Sequence, residues 1–198
     1  MKKLSFILVV LITIIVFLNP AAAQDKEYRA FGIGVVALDL GGALDAAGGA
    51  TILLPINIGP AFRLEPILGF GSISYDYEGK ADDSESSMTI GLGIYPTIRK
   101  GSAVIYIGGR LGMAFGSEEN KDNNGDVWVE YSDFSFGLGP VLGGEYYFNS
   151  HISLGGEMSI MFSSTTLKTD YDNPLADDEE DSVTRIATNS MVIIRFYF

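Results

Sequence analysis

Residues 88–115 read MTIGLGIYPTIRKGSAVIYIGGRLGMAF, and their alternation decides the fold. In the first half, Met88, Ile90, Leu92, Ile94, Pro96 and Ile98 fall on one face of an extended chain. Thr89, Gly91, Gly93, Tyr95, Thr97 and Arg99 fall on the other. Side chains alternate across a strand, so this is period two and not the 3.6 of a helix. Lys100-Gly101-Ser102 makes a tight turn, and the pattern resumes. Ala103, Ile105, Ile107, Gly109, Leu111, Met113 and Phe115 oppose Val104, Tyr106, Gly108, Arg110, Gly112 and Ala114. A soluble sandwich would bury the apolar face and wet a bulky polar one. Here the second face is small and polar, which suits a narrow interior, and the apolar face suits lipid.

The same alternation extends in both directions, over residues 29–39, 50–58, 61–75, 134–148, 152–162 and 186–198. Over residues 31–37, 50–58, 62–70, 88–98, 103–115, 134–148, 152–162 and 186–198 one parity carries no charge, and only Thr188 and Ser190 on it are polar. The other parity holds Arg63, Glu65, Arg99, Arg110, Glu145, Glu157, Arg185 and Arg195. Links near 58–61, 100–102 and 149–151 are short; those near 40–49, 76–87, 117–127 and 168–183 are long. Strict alternation of short and long links predicts an all-β, closed antiparallel transmembrane up-and-down β-barrel of eight strands, with long extracellular loops and short periplasmic turns. Pro66, Pro96 and Pro140 fall inside strands, where local bulges or disrupted pairing are expected. After Gly71 the third strand changes parity at Ile73, Tyr75 and Tyr77, which predicts a bulge or an extension beyond the membrane.

The N-terminus reads as a secretory signal over residues 1–23. Lys2 and Lys3 precede an apolar run from Leu4 to Leu18, and Ala21-Ala22-Ala23 supplies the cleavage site. Residues 24–198 then form one barrel domain. The chain has no cysteine, so disulfides and a lipoprotein anchor are excluded. The net charge of −12 becomes −14 once two lysines leave with the signal. Such a charge excludes nucleic acid as a partner held by bulk attraction.

The eight alternating segments, the asymmetric links and the C-terminal Arg195-Phe196-Tyr197-Phe198 resemble the OmpA/OmpX-like family of small outer-membrane β-barrels. The resemblance covers the whole of residues 24–198. It implies an integral protein of a Gram-negative-type outer membrane, with Phe196 and Phe198 as the signal read by the barrel-assembly machinery. Outer-membrane lipid and lipopolysaccharide are the further partners it implies, and the barrel is expected to be a monomer. Met191 and Ile193 stand where the family often has a polar residue and a glycine.

The inward charges Arg63, Glu65, Arg110, Glu145, Glu157 and Arg195 are the main candidate site. Three acids and three bases in a narrow lumen are expected to pair as an ionic plug, because an unpaired buried charge is costly. Glu157 is expected to pair with Arg195 on the neighbouring strand, with Glu145 sharing that arginine. His151, two residues before Ser153, with Glu157 nearby, resembles the motif of lipid A deacylase barrels. The histidine lies at a periplasmic turn, though, and Glu157 follows too closely for that spacing. Asp122, Asn124 and Asp126 alternate like the start of a calcium loop, but Val127 replaces the glycine and Asp133 the bidentate glutamate. The run Asp177-Asp178-Glu179-Glu180-Asp181 reads as a solvated loop tip that could hold divalent cations among lipid phosphates. Tyr28, Tyr95, Trp128, Tyr131, Tyr146, Tyr147 and Phe198 are candidates for interfacial girdles. The expectation is a non-enzymatic structural or surface-interaction barrel without metal or cofactor. The alternatives are a narrow small-solute or ion pore, or a lipid A-modifying enzyme.

Overall fold

A computed structural model describes residues 29–39, 50–75, 83–121, 127–171 and 179–198. Among them run nine strands: β1 Gly32–Asp39, β2 Ala50–Leu53, β3 Ile56–Ile58, β4 Phe62–Tyr75, β5 Asp83–Lys100, β6 Ala103–Lys121, β7 Val127–Tyr147, β8 Ile152–Tyr171 and β9 Glu179–Tyr197. All pair antiparallel in the order β2-β1-β9-β8-β7-β6-β5-β4-β3, and β2 also pairs with β4. That last pairing shuts the ring, which leaves no edge to template aggregation. β2 and β3 form one span interrupted at Leu54-Pro55. Proline has no N–H to give the ladder. The Pro55 carbonyl still accepts from the Gly32 amide at 2.9 Å, and the Asn57 amide donates to Ala30 at 2.7 Å. The nine strands therefore make eight spans.

The short links all lie at one end of the ring. Gly59 and Gly101 turn there with φ of 66° and 59°, a region where a Cβ is strained. The C-terminus lies at this end too, where the Tyr197 amide donates to the His151 carbonyl at 2.7 Å. At the other end three of the four expected long loops are much shorter than the sequence suggests, while the link between β1 and β2 keeps its expected bounds. β5 begins at Asp83, β6 runs to Lys121, β8 to Tyr171, and β9 starts at Glu179. Glu179, Glu180 and Asp181 are thus paired strand residues opposite Thr169, Lys168 and Leu167, not a loop tip. The reason is that both faces are polar there. The hydrophobic alternation stops where lipid stops, but the backbone ladder continues. At ~3.3 Å per residue, the 21 residues of β7 are about twice what a tilted membrane strand of ~9–11 residues needs. The reading of residues 1–23, Tyr28, Asp122, Asn124, Asp126, Asp177 and Asp178, and the side chain of Trp128, lie outside the described residues.

The in-strand prolines are absorbed without any change of register. Pairing of β5 with β6 skips Tyr95 and Pro96 between Ile94↔Gly109 and Thr97↔Tyr106. Pairing of β7 with β8 skips Gly139 and Pro140 between Leu138↔Phe162 and Val141↔Ser159. Pro66 sits in an unbroken ladder opposite Leu92. Disrupted pairing occurs at two of the three, and bulges at none. β4 likewise stays in register with β5 as far as Tyr75↔Asp83, so the parity change after Gly71 marks an extension and not a bulge.

The packing is inverted relative to a water-soluble protein. Ile98, Ile105, Ile107, Leu138, Leu142 and Met158 face outward and are each more than half exposed. A continuous apolar belt of this kind is stable only when lipid covers it. The buried residues face inward and include Leu53, Ile67, Tyr95, Tyr106, Ile193 and Tyr197.

Candidate functional site: a charged cluster across the lumen

The inward parity brings Arg63, Glu65, Arg110, Glu145, Glu157 and Arg195 together in the lumen, and none is more than 6 % exposed. β4 supplies Arg63 and Glu65, β6 Arg110, β7 Glu145, β8 Glu157 and β9 Arg195. The cluster has two tiers joined by Arg195.

The lower tier lies at the short-turn end. Arg63 donates to Glu145 at 2.7 Å, to Asn57 Oδ1 at 2.9 Å, and to Tyr197 Oη at 3.1 Å. The Tyr197 hydroxyl donates to Glu145 at 2.6 Å, and the Ser153 hydroxyl also donates to Glu145. Asn57 anchors the tier by donating to the Arg29 carbonyl at 3.0 Å. Arg99 caps it from below, over the Tyr147 ring at 4.6 Å.

In the upper tier Arg110 donates to Glu157 at 2.5 Å and to Tyr95 Oη at 3.0 Å. The Tyr106 hydroxyl donates to the other oxygen of Glu157 at 3.0 Å. Between the tiers Arg195 lies 2.9 Å from Glu65, 3.7 Å from Glu157 and 3.8 Å from Glu145. Both Arg63 and Arg195 also pack on the Tyr106 ring, at 5.2 and 5.6 Å. The expected first partner of Glu157 is therefore corrected. It is Arg110, two spans away, while Arg195 gives its closest contact to Glu65. A barrel's stagger decides this, because residues level across the lumen are not those adjacent along one ladder.

Four tyrosines belong to the cluster and were not anticipated in it. Tyr95 and Tyr147, read as girdle candidates, are 0 % and 4 % exposed and point inward. Tyr106 and Tyr197 join them, with ring pairs Tyr95–Tyr106 and Tyr147–Tyr197 both at 5.2 Å. Their parity is the inward one, so alternation alone could have placed them. Room for the Tyr106 ring comes from Gly143, where a Cβ would collide with it. By contrast Tyr131 and Phe198 are exposed, and Tyr146 packs edge-on against Phe148 at 5.7 Å.

The other candidate chemistry does not assemble. The His151 ring sits 2.9 Å from the Tyr197 carbonyl at the turn, while Ser153 is committed to Glu145 and Glu157 to Arg110. Phe196 and Phe198 face outward, 43 % and 64 % exposed. Asp133 lies on β7 opposite Gly116, close to its Cα, and is not part of a carboxylate cage. Among the described residues no group of acids or histidines is arranged to hold a metal.

The family model described as outer membrane protein beta-barrel domain matches residues 8–184. No curated protein matches the chain. Among solved structures, the fold is similar to a major outer membrane protein from Thermus thermophilus. That match has a TM-score of 0.53 at 13 % identity, over 85 % of this chain and 97 % of that one. CarO from Acinetobacter baumannii aligns with a TM-score of 0.39 at 11 % identity, over 88 % of this chain and 100 % of that one.

Proposed function

Because this chain belongs to the outer membrane protein beta-barrel domain family and is an integral outer-membrane protein, we propose that its role there is structural or surface-interacting, neither catalytic nor conductive. The observation that supports this reading is the two-tiered cluster. Three arginines and three glutamates, buried and mutually paired, fill the lumen near its short-turn end. An open pore keeps its charges wet; here they are desolvated against four tyrosines. Polar networks of this kind hold one arrangement when each charge has its partner.

In this reading the apolar belt fixes the ring in lipid and the plug keeps it shut. β5 to β9 carry the sheet past the membrane as a polar rim that meets lipopolysaccharide or external surfaces. The barrel-assembly machinery inserts it, and it works as a monomer without cofactor. The test is planar-bilayer recording on the refolded barrel. The parent should show no steady conductance. Arg195→Ala, which vacates the centre of the plug, should show small, frequent openings. A steady conductance in the parent would defeat the reading in favour of a pore.

A further inference from the structure

Above the plug the lumen opens into a recess of about 300 Å³. Gly91, Gly112 and Gly137 line it from three adjacent strands in direct register. Having no side chains, they leave open the space that tyrosines fill lower down. Across the ring, β9 contributes Arg185 and Asn189 to the same recess. Asn189 is 4 % exposed, yet its Oδ1 accepts no hydrogen bond from the described residues. Arg110, also lining the recess, is bound to Glu157 through Nη2, but its Nε donates to nothing described. Arg185 forms no ion pair among the described residues. A buried acceptor without a donor calls for a ligand, and Arg185, exposed to the recess, places a solvated cation on the same wall.

We propose that this recess binds a small organic monoanion, with its carboxylate on Arg185 and a hydroxyl or amide donor on Asn189 Oδ1. Arg185 and Asn189 stand four residues apart on one face, so their Cα atoms are roughly 13 Å apart along the strand. The arginine side chain covers several ångströms of that, and a polar chain of about five or six carbons spans the rest. The entrance sets the charge. An outer cavity of about 530 Å³ shares Thr89, Ala114 and Ser135 with the recess, and five acids, Glu85, Glu118, Asp133, Glu179 and Asp181, line it against one cation, Lys168. An acidic entrance above Arg185, which has no ion pair among the described residues, admits a monoanion and works against multiply charged anions. The recess needs only the lumen wall, so it stands whether or not the floor conducts.

The experiment is titration calorimetry on the full chain refolded in detergent, with gluconate as probe, sorbitol as its neutral counterpart and citrate as a multiply charged one. Gluconate should bind saturably. Arg185→Gln and Asn189→Leu, each checked for an intact heat-modifiable band, should weaken it about tenfold or more, as expected for losing a charge-assisted or buried hydrogen bond. Sorbitol and citrate should bind at least as weakly as gluconate does to those variants. Gly137→Val, which fills the recess without touching a charge, should also abolish binding. Heats indistinguishable from dilution, meaning a recess occupied by water only, would overturn the proposal. So would gluconate binding undiminished in Arg185→Gln, or citrate binding tighter than gluconate.

Discussion

Glu157 lies 2.5 Å from Arg110, two spans round the ring, and 3.7 Å from Arg195 on the strand next to it. The acid is thus shared across the lumen, and its near neighbour along the sheet is the weaker contact. Arg195 is instead the residue that touches all three glutamates, which makes it the link between the two tiers.

Coupling should follow those distances. In double-mutant cycles read by urea unfolding in lipid vesicles, Glu157 and Arg110 should couple by about 1.5–3 kcal/mol, and Glu157 and Arg195 by less. Each single variant is made with glutamine or methionine to keep the volume. Equal coupling for the two pairs would show that the 2.5 Å contact has no special weight.

Loss of Arg195 should be the most damaging single change in the plug. It leaves Glu65 without its 2.9 Å partner and removes the charge that sits near Glu145 and Glu157. Arg195→Met should cost about 3–5 kcal/mol. Adding Glu65→Gln should restore part of that, because the stranded carboxylate is then neutral. A double variant less stable than Arg195→Met would contradict the assignment.

Gly143→Ala tests the packing beneath the charges. The added Cβ would collide with the Tyr106 ring, whose hydroxyl holds Glu157. Overpacking of this kind typically costs about 1–3 kcal/mol. Gly156→Ala, which meets no atom within 4 Å, should leave the urea midpoint unchanged. Similar midpoints for both variants would mean the ring is free to move.

Deleting residues 176–182 should leave a heat-modifiable barrel. The deletion removes the β9 partners of Thr166 to Thr169, but those positions lie in the polar extension, far along β8 from the plug. Residues 179–182 are exposed and bury little, so the cost is confined to local pairing. Disappearance of the faster-migrating unboiled band would show that the extension is needed for closure.

Phe198→Ala should reduce insertion in cells while leaving refolding into detergent nearly unchanged. The side chain faces outward at 64 % exposure and touches Phe31 across the β1–β9 seam, with ring centroids 6.4 Å apart. Comparison of membrane yields with in vitro refolding yields decides it. Equal yields in cells remove the assembly role.

Alternation by itself determined that this chain forms a β-ring with an apolar outside, and which side chains point inward. Arg63, Glu65, Arg110, Glu145, Glu157 and Arg195 were legible as lumen residues because a strand's two faces follow from local geometry. The tight turns at Gly59 and Gly101 were legible for the same local reason. Only the tertiary structure decided who meets whom. Closure into a ring sets tilt and stagger together, and these bring Arg110 of β6 level with Glu157 of β8, past the intervening strand. It also decided how far the sheet continues. Glu179 and its neighbours extend β9 through hydrogen bonds that do not depend on side-chain polarity, so no hydrophobic pattern marked them. Lipid imposes the alternation and the backbone imposes the ladder. The two coincide only within the membrane.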